Sequence, residues 1–235
     1  MQFPRKTISA SLINGYYDCP LQWKKLNIDG LIPPYSKALE CGSMFDLMVK
    51  SFHENKDPYE EAKAKYLKGK SSKDTIEQYG IARKLMESYI TNPLKLEHTR
   101  FDVRFKVSLE HPETGKVIEY PLTGFLDGLE TIDGGAEIIE YKTTSKDYTQ
   151  EQVDTSLQGD IYAYYLFRNF GIEEPVIRYV VGNKGSRKFQ HLTTKRTKQN
   201  FIKLFDTVEK FIEDVRAERF EMNPKHPFWC ICKKL

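Results

Sequence analysis

The amino-acid sequence predicts an α/β fold in which a mixed central sheet is flanked by helices and preceded by a helical N-terminal part. Three observations predict it. Apolar residues recur at helical spacing through the first ninety or so residues. From Phe101 they alternate with polar ones, the period of a half-buried strand. Helix-like and strand-like stretches then succeed one another, an order that suits a mixed sheet covered by helices.

Residues 9–26 open with serines, which make good N-caps, and Pro20 divides the stretch into two short helices. Residues 35–52 continue the helical pattern through Leu39, Phe45, Leu47, Met48 and Phe52, with Asp46 set among them. A carboxylate in such company calls for a reason, because burying one without a partner is costly. Helices are also predicted over 59–67 and 74–90, the second marked by Ile76, Tyr79, Arg83, Met86 and Ile90. Phe101, Val103, Phe105, Val107 and Leu109 then define a strand; a turn follows over 112–115, and a second strand returns over 117–129. A turn at Asp133-Gly134-Gly135 leads into a third strand, 136–144, glycine supplying the positive φ that reverses a chain between strands. The adjacent Ile138-Ile139 pair predicts burial on both faces of that strand and a central place in the sheet. A helix over 149–170, a strand over 175–181 and a weaker strand over 187–192 come next. The last helix, 198–219, carries Phe201, Leu204, Phe205, Val208, Phe211, Ile212 and Val215 on one stripe. We therefore expect a single domain over 1–235: a helical portion (1–95), a sheet-bearing core (96–220) and a tail (221–235) with two cysteines.

With 40% hydrophobic residues the chain can bury a substantial core. Its 36 Lys and Arg against 33 Asp and Glu give a net charge of +3, too small to identify a nucleic-acid partner. No run approaches the roughly 18 apolar residues of a membrane helix, and the first residues, MQFPRKTISAS, lack an apolar signal core. A soluble, cytoplasmic protein with no membrane partner is the expectation. Cys19, Cys41, Cys230 and Cys232 lie near the two ends of the sequence; without a secretion signal they read as reduced thiols or metal ligands rather than disulfides.

The chemistry is concentrated between Gly124 and Lys142, GFLDGLETIDGGAEIIEYK. Asp127 falls on one strand and Glu140 and Lys142 on the next, where a period of two points both to one face and Ile139 and Tyr141 to the other. Two carboxylates and an ammonium from neighbouring strands are the minimum equipment for metal-assisted phosphodiester hydrolysis: the carboxylates hold a hard divalent cation and the lysine orients a water or offsets charge on the phosphate. An ExK tripeptide alone says little, since exposed strands place Glu and Lys together often; Asp127 adds weight because the pattern then requires two paired strands. Gln158 and Tyr162 follow on the next helix, four residues apart and so on one face, where an amide and a phenol can bind a phosphate or orient the lysine.

GFLD, IIEYK and QGDIY, in this order and spacing, resemble the GxxD, (D/E)xK and QxxxY motifs of the PD-(D/E)xK nucleases, specifically their RecB-like exonuclease branch. That branch includes the RecB and AddB nuclease domains, CRISPR-associated RecB-like exonucleases and phage exonucleases. The opening SASLINGYYDCPLQWKK, with its Cys19-Pro20 pair, is similar to the branch's N-terminal helix. The resemblance implies a restriction-endonuclease-like fold. It implies that Asp127 and Glu140 bind metal together with the backbone carbonyl of Tyr141, that Lys142 acts in catalysis with Asp127 and Glu140, and that Gln158 and Tyr162 organise the site and the substrate backbone. Two departures stand out. Where the branch has a His four residues after a Gly, GSMFD places Asp46 after Gly42, a third oxygen ligand that favours Mg²⁺ or Mn²⁺. Several members also hold an iron–sulfur cluster through one early and three late cysteines; this chain offers Cys19, Cys230 and Cys232, with Cys41 outside the family position, and reduced thiols are the preferred reading.

The function expected on this resemblance is a Mg- or Mn-dependent DNA exonuclease acting on single-stranded DNA or DNA with free ends, in recombination, repair or replication. Its partners would be DNA and a recombination or replication protein, and its small size suits a phage or CRISPR-linked setting. The alternatives are a structure-specific endonuclease and a catalytically inactive DNA-binding module. The helical N-terminal portion is a candidate arch for single-stranded DNA, with Tyr16, Tyr17 and Trp23 as candidate base-stacking residues, although core packing explains these aromatics equally well.

Overall fold

A computed structural model describes residues 1–33, 35–69, 71–133 and 135–225. Helices α1 (Ala10–Asp18) and α2 (Pro20–Asn27) form where the serines and proline direct. The Ser9 side chain accepts from the Leu12 amide, and Pro20 stands in the first turn of α2, where no amide hydrogen is needed. Then come α3 (Lys37–His53), α4 (Pro58–Tyr66) and α5 (Lys73–Tyr89), each capped by a Ser or Asp side chain that accepts first-turn amides.

The sheet has five strands in sequence order: β1 (Thr99–Val107), β2 (Leu122–Ile132), β3 (Gly135–Thr144), β4 (Val176–Asn183) and β5 (Phe189–Lys195). All neighbouring pairs are antiparallel except β3–β4, which is parallel, so the sheet is mixed with β3 at its centre. The crossover that parallel pairing demands is made by α6 (Gln150–Asp154) and α7 (Leu157–Phe170), and α8 (Lys198–Arg216) closes the described core.

The sheet divides the interior into two apolar clusters. On one side Ile138, Leu126, Leu129 and Val181 pack with α1, α7 and the Phe201–Val215 stripe of α8. On the other, Ile139, Tyr141 and Val180 pack with Met44, Phe45 and Met48 of α3 and Ala82, Leu85 and Tyr89 of α5. The Ile138-Ile139 pair is thus buried on both faces, as the sequence predicts.

Several boundaries differ from the sequence expectation. The second strand starts at Leu122 instead of residue 117: Pro121 has no amide to donate to a ladder, and Val117 makes only an isolated bridge to Glu110. The helix expected over 149–170 is broken, because Ser156 adopts extended φ and ψ and its side chain caps α7 by accepting from the Gly159 amide. The last helix stops at Arg216, and Glu218 turns to a positive φ of 59°. The fifth strand spans Phe189–Lys195, displaced toward the C-terminus from the expected 187–192. Of the hairpin turn, Gly134 lies outside the described residues. Among the described residues no helix is long and apolar enough to cross a membrane.

Candidate active site

The antiparallel ladder between β2 and β3 runs from the Ile132–Gly135 pair to the Gly128–Ile139 pair and then opens. Asp127 stands at this fork. Its Oδ2 accepts the Tyr141 amide hydrogen at 2.9 Å, so a side chain takes the hydrogen bond that a paired strand would otherwise supply. Past the fork, β3 continues with Glu140 and Lys142 on the side of α7, while Ile139 and Tyr141 enter the opposite cluster under α3 and α5.

Glu140 is 2% exposed. Its Oε1 accepts from Lys142 Nζ at 2.5 Å and from Gln158 Nε2 at 2.8 Å. Lys142 Nζ also donates to Gln158 Oε1 at 3.0 Å. The Gln158 amide thus presents its oxygen to the lysine and its nitrogen to the glutamate, and Nε2 also lies 2.6 Å from Tyr162 Oη, which donates to the Phe125 carbonyl at 2.5 Å. The chain of contacts ties β3 to α7 and α7 back to β2. It uses the four-residue spacing of Gln158 and Tyr162 on one helix face.

Two sites of close packing hold these elements at this distance. A Cβ at Gly124 would stand 2.7 and 2.8 Å from the Phe105 ring, so the first position of GFLD admits no side chain without displacing Phe105. A Cβ at Gly159 would meet Arg196 Nη2 at 2.8 Å and Tyr179 Oη at 3.0 Å. Arg196, 1% exposed, was not singled out from the sequence. It pairs with Asp160, contacts Thr194 and donates to the Val153 and Ser156 carbonyls at 2.8 and 3.3 Å, which fixes the α6–α7 junction just ahead of Gln158.

Asp46 approaches the fork from α3. Burial, and then the charge of Glu140, push its pKa up to about 7. Asp127 is shifted the same way, well above the ordinary carboxylate range, by burial first and then by Glu140 and Asp46. Burial works against the Lys142 ammonium, but the Glu140 carboxylate outweighs it and raises the lysine pKa. Three carboxylates on β2, β3 and α3 therefore sense one another across the fork. Among the described residues, however, no three His, Cys, Asp or Glu side chains converge as a formed metal shell. Glu140 Oε2 is buried and has no hydrogen-bond partner. An unsatisfied buried carboxylate oxygen between like-charged neighbours is an environment that a cation relieves, and all three donors are the hard oxygens that Mg²⁺ or Mn²⁺ takes. The residues fit such a metal.

A cavity of about 510 Å³ opens beside the network, lined by Lys142, Gln158 and Tyr162 on one side and by Ser9, Ser11 and Asn14 of the α1 region on the other. The family model of the PD-(D/E)XK nuclease superfamily matches residues 7–234, nearly the whole chain. The chain belongs to the PD-(D/E)XK nuclease superfamily. As a member of that superfamily it is, by class, a hydrolase acting on nucleic acid. Its fold is similar to that of a candidate exonuclease from Eubacterium rectale, with a TM-score of 0.57 at 15% identity over 97% of this chain and 87% of that one. The structure of SSO0001 aligns at 17% identity over 81% of this chain and 84% of that one, with a TM-score of 0.33. No curated protein matches the sequence.

The other residues singled out from the sequence fall elsewhere in this nuclease. Tyr16 and Trp23 are core residues rather than base-stacking ones: they are 3% and 2% exposed, with Tyr16 Oη donating to the Arg219 carbonyl and Trp23 Nε1 to that of Leu12. Tyr17 is partly exposed and reaches the Thr207 carbonyl. Cys19 is buried at the junction of α1 and α2, and Cys41 is buried in the cluster under α3. Cys230 and Cys232 lie outside the described residues.

Proposed function

We propose that the protein is a metal-dependent deoxyribonuclease that hydrolyses DNA from free ends, with Asp46, Asp127, Glu140 and the Tyr141 carbonyl holding Mg²⁺ or Mn²⁺. The observation that carries this reading is the unpartnered, buried Glu140 Oε2 at the fork, with Lys142 on the same carboxylate's other oxygen. The cation, when bound, supplies Lewis-acid stabilisation of charge developing on the phosphate. Lys142 keeps its proton and presents a fixed positive charge to a phosphate oxygen, a contact that strengthens as negative charge builds. Gln158 holds Lys142 and Glu140 in register, and Tyr162 holds Gln158. Asp46 replaces a neutral His donor with a third carboxylate, which raises the charge of the site and strengthens its preference for a hard cation. The likeness in fold to a candidate exonuclease supports action from ends, and end processing suits repair, recombination or replication.

The test is digestion of end-labelled linear and circular single-stranded DNA with Mg²⁺, Mn²⁺ or EDTA. Metal-dependent loss of the linear strand alone is the expected result, and the label's position gives the polarity. Equal loss of the circle contradicts action from ends and leaves an endonuclease. No loss with either metal contradicts the assignment as an enzyme.

A further inference from the structure

Beyond the fork the β1–β2 ribbon carries an exposed row whose composition neither the site nor the core explains. β1 changes layers at Asp102, where φ is 54°: Phe101 packs with the α3–α5 cluster, whereas Val103 and Phe105 pack on the α7 side. The other side of the ribbon then presents Arg104 and Lys106 of β1, paired across the ladder with Phe125 and Thr123 of β2. Phe125 is 60% exposed, and the Arg104 guanidinium lies over its ring at 5.3 Å from the centroid. Among the described residues neither Arg104 nor Lys106 is paired with a carboxylate, although most lysines of α3 and α4 are. Charges on an outermost strand discourage edge-to-edge pairing, which accounts for the two cations. It does not account for a large exposed aromatic ring beside Arg104.

Phe125 is also tied to the site. It shares a strand face with Asp127 two residues on, a separation of about 7 Å along the strand. Its carbonyl accepts from Tyr162 Oη, so the segment that aims the ring is clamped by the same network that orders Lys142. We propose that Phe125, with Arg104 and Lys106, forms the platform on which a single DNA strand lies as it enters the fork, a nucleobase stacking on Phe125 and the two cations taking flanking phosphates. This deepens the nuclease reading and rests on it. Single-stranded DNA is the occupant that fits: unpaired bases offer faces to a ring while duplex bases do not, and cations beside an aromatic match the alternation of phosphate and base.

Binding, measured apart from cleavage, tests it. The full chain is titrated in EDTA with a labelled oligothymidylate strand and with a blunt duplex, read by fluorescence anisotropy, for wild type, Phe125→Ala, Phe125→Trp and Arg104→Ala. Phe125→Ala is expected to weaken single-strand binding on the order of tenfold and duplex binding far less. Phe125→Trp keeps the affinity, and its added fluorescence is quenched by the strand. Arg104→Ala lowers the dependence of log affinity on log salt by about 0.7. Wild-type affinity in Phe125→Ala, an unquenched Trp at saturation, or equal losses on strand and duplex would each overturn the platform. So would a concentration-dependent dimer in light scattering that Phe125→Ala dissolves, since a second copy would then be the occupant. A wild type that cuts DNA while Phe125→Ala binds and cuts equally well removes the platform and leaves the nuclease; quenching without cleavage by the wild type does the reverse.

Discussion

Glu140 holds two oxygens in different states: one shared by Lys142 and Gln158, the other buried and unsatisfied. Beside it, Asp46 and Asp127 both carry pKa values above the ordinary carboxylate value of 3.8. A folded chain with such groups binds more protons than the unfolded one between that value and about 7 for Asp46, so their contribution to stability falls as pH rises through the window. The charged groups acting on Asp46 are Glu140, Lys142 and Asp102. In EDTA, the melting temperature of wild type is therefore expected to drop more between about pH 5 and pH 7 than that of Asp46→Asn, which cannot ionise there. Parallel curves for the two proteins would contradict the shift. At this scale the sequence was informative. Asp46 was conspicuous as a carboxylate among apolar residues, and Asp127, Glu140, Lys142, Gln158 and Tyr162 lay at spacings that strand and helix periods convert into proximity. The Phe125 carbonyl was invisible, because a backbone acceptor leaves no mark on residue type.

The elements deliver these groups through two tight fits. α7 is anchored at its start by Arg196, which is buried, and Asp160, which is largely so. Replacing Arg196 by Met leaves the Asp160 charge buried and uncompensated, at an expected cost of about 3–5 kcal/mol in urea unfolding. An unchanged midpoint would mean that the pair is not what holds the junction. Gly124→Ala forces a methyl against the Phe105 ring, and we expect a loss of about 1–3 kcal/mol from overpacking. Strand and helix identities were legible from hydrophobic period alone. The break at Ser156 was not, because a Ser within a helical pattern reads as a tolerated residue until its side chain is seen capping the turn that follows. Nor was the late start of β2: Pro121 forbids a ladder bond but does not say on which side the strand lies.

For the whole molecule, the sheet is a partition with apolar material on both sides. α3 and α5 cover Ile139, Tyr141 and Val180, and we propose on that ground that the helical portion and the strands fold as one unit. A fragment lacking residues 1–95 would expose that face, and we expect it to bind a hydrophobic dye and to melt without a cooperative transition. A sharp transition for the fragment would contradict the single-domain reading. Long-range relations of this kind were the least legible. The alternation around Ile138-Ile139 announced two covered faces, but which helix covers which face depends on the parallel β3–β4 pairing, set by contacts far apart in sequence.

The measurement closest to the central claim is the rate of DNA cleavage in Mg²⁺ or Mn²⁺ by wild type and by Lys142→Ala, with circular dichroism confirming that both are folded. The fork reading predicts metal-dependent cleavage in the wild type and a fall of at least about a hundredfold in the variant, the loss of one preorganised positive charge at the phosphate. A folded Lys142→Ala protein that cuts DNA at the wild-type rate would contradict it.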